Sequence, residues 1–168
     1  WDDPGWRCTT LGFSLRANYA RVVENALDPA HAEFVHFVGR KGQDPDYQMP
    51  DYQTQESEWG AGMEVRFRTQ AGGLFRYFRP GDTETIAGTT FQFITRIRMN
   101  ARMSSFQYAF DTPVDEYETR SFLINARNFF TSPLLDGMVD KRNRAIIAED
   151  RAVIERIEPV APPRGSTA

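Results

Sequence analysis

Met63, Val65, Phe67 and Thr69 alternate with Glu64, Arg66 and Arg68, a period of two that puts one set on each face of a β-strand. The same alternation recurs along the middle of the chain. "TTLGFSLRA" (9–17) predicts a first strand, and "LFRYFRP" (74–80), set off by the turn signal "AGG", predicts another. "TTFQFITRIRM" (89–99) places Phe91, Phe93, Ile97 and Met99 on one side and Gln92, Arg96 and Arg98 on the other. "SSFQYAF" does the same with Phe106, Tyr108 and Phe110; "DTPVDEY" is a turn, and "ETRSFLINARNFF" a further strand. Five or six consecutive strands with short connections predict an antiparallel meander.

Two segments break this rhythm. "NYARVVENALDPAHAEFVHFV" has helical texture interrupted at Pro29, which is tolerated in a first helical turn, so Asp28 is placed to cap a second short helix. From Ser132–Pro133 the period lengthens, with apolar residues at 134/135, 138/139, 146/147, 153/154 and 157. That pattern predicts one long amphipathic helix with Gly137 near its start. Between helix and sheet regions, residues 38–55 form a polar loop rich in Gly, Pro and Asp, of a length that often carries function. The expected fold is α+β: a curved antiparallel sheet with the long C-terminal helix packed across it.

Composition narrows the function. The chain has 168 residues, the length of one domain with a real core, and its thirteen Phe need a core or a pocket to fill. A net charge of −3, with basic and acidic residues interspersed, gives no general pull toward nucleic acid. No apolar run approaches the roughly 20 residues of a membrane span, and there is no signal-peptide pattern. The single cysteine, Cys8, offers neither an internal disulfide nor a zinc or iron–sulfur site, which fits a cytoplasmic protein. The opening "WDDPGW" and closing "EPVAPPRGSTA" read as cuts, so an excerpt of a longer polypeptide is expected.

Both histidines fall in "ENALDPAHAEFVH" (24–36). Asp28 and His31 share a helical face, whereas His31 and His36 lie about 140° apart around an ideal helix. They meet at one ion only if the helix is distorted, as at a π-bulge, or ends between them. On the long helix, Asp150 lies on the apolar stripe defined by Ile146, Ile147, Val153 and Ile154, with Glu149 and Arg151 to either side. A buried carboxylate needs a cation or strong donors. An arginine partner, such as Arg96 or Arg98, answers that need; so does a metal shared with the histidines. Two imidazoles and one carboxylate with open positions make the facial triad of non-haem Fe(II) oxygenases.

"ENALDPAHAEFVH" resembles the mononuclear-iron motif N-x-x-D-x-x-H-x-x-x-x-H of Rieske non-haem iron oxygenase large subunits, matched by Asn25, Asp28, His31 and His36. "RNRAIIAEDRAVIERIEP" resembles the segment that delivers the third ligand, Asp150. The nearest type is vanillate O-demethylase, or phenylpropionate and phthalate oxygenase. The resemblance implies a helix-grip, START-like fold with His31, His36 and Asp150 as Fe(II) ligands. It implies Asp28 as a carboxylate that orients His31 and bridges electrons from a neighbouring subunit's Rieske cluster, Asn25 as a further group near the metal, and a homotrimer. The Rieske 2Fe–2S domain of the full-length family, bound by two Cys and two His, has no counterpart in this sequence.

The activity implied is dioxygen-dependent hydroxylation, or O-demethylation where the hydroxylated carbon bears an ether oxygen. The substrate is an aromatic or other hydrophobic small molecule, and electrons come by way of a reductase or ferredoxin. A pocket between sheet and helix is expected, lined by Phe91, Phe93, Phe106 and Tyr108, with the 38–55 loop as lid, surface excursion or subunit contact. Two other classes compete: a metal-free carrier of hydrophobic ligands on the same architecture, and a zinc hydrolase.

Overall fold

The computed structural model describes residues 3–28, 31–36, 52–57, 60–69, 83–90, 94–98 and 103–161. Strand β1 (Arg7–Leu15) is followed by helices α1 (Tyr19–Leu27) and α2 (His31–Val35). Six strands come next: β2 (Tyr52–Ser57), β3 (Gly60–Thr69), β4 (Thr83–Thr90), β5 (Ile94–Arg98), β6 (Ser104–Pro113) and β7 (Thr119–Arg127). A 3-10 turn at Pro133–Leu135 leads into α3 (Asp136–Ile154). The sheet order is β1-β7-β6-β5-β4-β3-β2, every pair antiparallel. Consecutive strands from β2 to β7 are therefore neighbours, and β1 adds to the far side of β7. The α+β expectation, an antiparallel sheet with a long C-terminal helix, describes this architecture. Among the described residues, no helix is long and apolar enough to cross a membrane.

The expected strand at 89–99 is a hairpin instead. Thr90 pairs with Ile94, so β4 ends and β5 begins within that stretch, and Phe91 and Phe93 lie between them, outside the described residues. No Gly, Pro, Asn or Asp marks the reversal, which is why alternation ran through it. The expected strand at 74–80 and most of the 38–55 loop also lie outside the described residues.

Register decides which side of the sheet each side chain takes, because paired residues share a face. Arg7, Arg127 and Ser105 align across three strands, as do Leu11, Leu123 and Ala109, and Leu15, Thr119 and Pro113. These odd-numbered positions face the helices. Leu15, Ala17, Val22 and Ile154 form the buried cluster there, with Phe13 packed against it. The helices are anchored by polar contacts at both ends of this face. Asn18 caps α1, accepting from Ala20 N–H at 3.0 Å, and its amide donates to the Glu116 carbonyl in the β6–β7 turn at 3.0 Å. The Thr119 hydroxyl donates to the Ala17 carbonyl at 2.9 Å. At the start of α3, Asp136 accepts from Arg7 and Arg127, each at 2.5 Å.

Helix α3 is less apolar in its contacts than its stripe predicts. Leu134, Met138 and Val153 are exposed, and the residues fully buried along the helix are Asn143 and Ile154. Its inward line runs Asn143, Ile147, Asp150, Ile154. The carboxylate therefore does face inward, as its position among apolar residues indicates.

Candidate metal centre

Helix α1 stops at Leu27 because Asp28 leaves helical geometry, with its N–H still bonded to the Glu24 and Asn25 carbonyls. A five-residue helix then begins at His31 and closes at Val35, leaving His36 just beyond it. Because α2 ends at Val35, between the two histidines, the 140° divergence that continuous helix would impose does not apply. The two imidazole centroids are 5.2 Å apart, with the rings at 76°.

Opposite them, α3 presents Asp150. Its Oδ1 lies 3.4 Å from His36 Nε2 and 3.7 Å from His31 Nε2, and it accepts from the Asn25 side-chain amide at 3.3 Å. One ligand atom from each of His31, His36 and Asp150 can be chosen so that all lie within 4.8 Å of one another. The three side chains are largely enclosed, 14–21% exposed. Among the described residues, the partners of Asp150 are the two histidines and Asn25; the side chains of Arg96 and Arg98 lie outside the described residues.

The outer nitrogens of the rings fix what the inner ones can do. His31 Nδ1 donates to the main-chain carbonyl of Asp28 at 2.5 Å, and His36 Nδ1 donates to Glu149 Oε2 at 3.1 Å. A carbonyl and an ionised carboxylate only accept, so each neutral ring carries its proton on Nδ1 and turns the Nε2 lone pair inward. Two lone pairs and a carboxylate then face a common point. Three acceptors at such distances repel unless a cation or a proton sits among them. Burial pushes the Asp150 carboxyl above its usual range; nearby His36 and His31 and the Asn25 amide pull it back, and Glu149 adds to the rise. A divalent cation would relieve both effects, and two imidazoles with one carboxylate form a donor set suited to a transition metal.

The other expected site residues fall as follows. Asn25 touches Asp150 directly. Asp28 holds His31 through its main-chain carbonyl, and the residue lies at the surface. Phe106 and Tyr108 are not between sheet and helix. They lie on the even-numbered face, with Phe106 aligned to Ala126 and Cys8, and Tyr108 to Ile124 and Thr10. There they line a cavity of about 550 Å³ with Trp6, Phe110, Ile124 and Ala126, on the side turned away from the helices. Glu149 is the residue that sequence reasoning passed over. The sequence places it only to one side of the stripe, and its adjacency to Asp150 was the available signal.

Comparison with known proteins places this arrangement. A family model described as the vanillate O-demethylase oxygenase C-terminal domain matches residues 15–167. The chain belongs to that family, the catalytic domains of Rieske-type oxygenases. Among solved structures, dicamba monooxygenase bound to 3,6-dichlorosalicylic acid aligns at 18% identity and a TM-score of 0.71, covering 93% of this chain and 50% of that one. NdmA of Pseudomonas putida CBB5 with caffeine aligns at 20% identity and a TM-score of 0.69, covering 99% and 48%. The quaternary ammonium Rieske monooxygenase CntA aligns at 14% identity and a TM-score of 0.57, covering 90% and 38%. At these identities the likeness concerns the fold, and the chain spans half or less of each of these structures. Comparison with curated proteins gives no significant match.

Proposed function

We propose that this chain is the terminal oxygenase domain of a mononuclear non-haem iron enzyme, with His31, His36 and Asp150 holding Fe(II). One observation carries the reading: the Nε2 atoms of His31 and His36 and a largely enclosed carboxylate oxygen of Asp150 converge where the described residues supply no cation. When bound, the iron supplies dioxygen activation for hydroxylation of an aromatic or other hydrophobic substrate, with O-demethylation where the product is a hemiacetal. His31, His36 and Asp150 would hold the ion. Asn25 keeps the Asp150 Oδ1 in place, and the Asp28 carbonyl sets the His31 ring. The end of α2 at Val35 brings the second imidazole, His36, round.

The wider reading follows the family. The domain has the helix-grip, START-like arrangement, and electrons arrive from a Rieske 2Fe–2S cluster carried outside this chain and fed by a reductase or ferredoxin. Asp28, at the surface and bonded to His31 through its carbonyl, is suitably placed to receive them from a neighbouring subunit. That route calls for a ring of subunits, a homotrimer, in the cytoplasm.

A metal-free carrier of hydrophobic ligands has one observation in its favour, the aromatic cavity on the far face of the sheet. It leaves the convergence of three acceptors without a purpose. Metal analysis after anaerobic reconstitution separates the readings. Iron retained by the wild type and lost on Asp150→Ala is the expected result. Zinc alone, no metal, or iron unaffected by Asp150→Ala would overturn it.

A further inference from the structure

The two imidazoles are held in different ways. His31 is tied within its own segment, Nδ1 donating to a neutral main-chain carbonyl three residues back. His36 lies beyond the last residue of α2, and among the described residues it has no such local tether. Its Nδ1 reaches instead across 113 residues to Glu149 on α3, while its Nε2 faces Asp150, the next residue of the same helix.

Consecutive helical residues point about 100° apart, so they meet one side chain only if that side chain lies between their directions. Glu149 is one methylene longer than Asp150 and reaches the outer nitrogen, while Asp150 takes the inner one. The ring is thereby held between two carboxylates on one rigid element. His36 is 14% exposed at its side chain and Glu149 27%, so the contact is sheltered. An acceptor-only group on Nδ1 selects the Nδ1–H tautomer and leaves Nε2 free to ligate; a carboxylate there also makes the imidazole a stronger donor.

We propose that Glu149 is a positioning residue of the metal centre: its carboxylate fixes His36 in the Nδ1–H tautomer and aims Nε2 at the point shared with His31 and Asp150. The proposal rests on the metal-binding reading above and deepens it. It assigns α3 two tasks, ligating through one residue and orienting a second ligand through its neighbour.

The test uses Co(II) titration and imidazole ¹⁵N NMR on the full chain and its variants. In the metal-free wild type at alkaline pH, His36 is expected to show the Nδ1–H signature. Glu149→Ala should shift His36 toward the Nε2–H tautomer favoured by unconstrained imidazole, leave His31 unchanged, and weaken Co(II) binding by roughly 10- to 100-fold. Glu149→Gln keeps an acceptor of nearly the same shape without the charge. It should retain the tautomer and recover part of the affinity, and it carries the test if the alanine variant does not fold. Unchanged tautomer and affinity in Glu149→Ala, or in its absence wild-type affinity in Glu149→Gln, overturns the proposal. Asp150→Ala keeps the two failures apart. If it abolishes Co(II) binding while both Glu149 variants bind normally, the centre stands and Glu149 has no part in it. If it binds like the wild type, the ligand assignment itself fails.

Discussion

Asn25 and Asp150, separated by 125 residues, are joined by one hydrogen bond: the Asn25 amide donates to Asp150 Oδ1 at 3.3 Å. That oxygen is the one both histidines approach, so Asn25 fixes the position of a ligand atom from a different helix. Hydrogen bonds to charged groups contribute about 1.5–3 kcal/mol. Asn25→Ala should therefore loosen the Asp150 carboxylate and lower iron retention about 10-fold or more, with the thermal transition little changed. Equilibrium dialysis against Fe(II) under anaerobic conditions measures it. Wild-type affinity in the variant would mean that Asp150 is held by other means.

At the other end of α3, Arg127 is 1% exposed and paired with Asp136, which Arg7 also contacts. Asp136 is itself part-exposed and Arg127 also donates to the Phe130 carbonyl, so removing the charge weakens charge-assisted hydrogen bonds, which contribute about 1.5–3 kcal/mol. Asp136→Asn should lower stability by that order, and Arg7→Ala by much less, because Arg7 is part-exposed. Chemical denaturation of the two variants separates them. An Asp136→Asn variant as stable as wild type would mean that Arg127 is compensated elsewhere.

The same pair sets an acid limit. Hydrogen bonding from Arg7, and then from Arg127, holds the Asp136 carboxyl below its ordinary range. A carboxyl depressed on folding contributes stability that is complete above its unfolded value of about 3.9 and is lost as pH falls through the lower folded value. Wild type should lose stability faster than Asp136→Asn between about pH 4 and the acid transition. Parallel pH–stability curves in that window would refute the assignment.

How much of this was legible in the sequence depended on which signal each residue carried. Asp150 was conspicuous because a lone carboxylate interrupts an apolar stripe, and the histidine spacing stated its own condition, a helix that ends between them, which Val35 meets. Phe106 and Tyr108 take the face away from the helices for a physical reason. On β6 the helix-facing positions are Ser105, Gln107, Ala109 and Asp111, while the far face carries Phe106, Tyr108 and Phe110. Alternation finds the two faces of a strand, but the usual assumption that the apolar set lies under the helices is reversed here. Glu149 was hidden because neighbours in sequence diverge on a helix, and only tertiary structure shows a ring reaching between them.

Asp111 carries that reversal into stability. It lies on the helix-facing side, bonded to the Ser121 hydroxyl, and burial pushes its carboxyl up against the opposing effect of that bond. A carboxyl raised on folding favours the fold when protonated, and that contribution fades as pH rises from the unfolded value through the folded one. Asp111→Asn keeps an acceptor for Ser121 and removes the charge. The variant should be the more stable at neutral pH, by about 1 kcal/mol, and the advantage should vanish as pH falls toward 4. Equal stability at neutral pH would show that the ionised carboxylate is satisfied in the fold.

Phe106 tests the separation of the two faces. It packs on Trp6 with centroids 5.4 Å apart and lines the cavity on the side away from the helices. Phe106→Ala should cost about 2 kcal/mol through lost packing and the aromatic contact. It should nevertheless leave Fe(II) affinity within twofold of wild type, since no ligand to the ion sits on that face. Iron retention and the thermal transition, measured on one preparation, check both halves. A variant that folds stably yet loses iron would mean the far face of the sheet communicates with the metal centre, and the two-sided description of the domain would have to be abandoned.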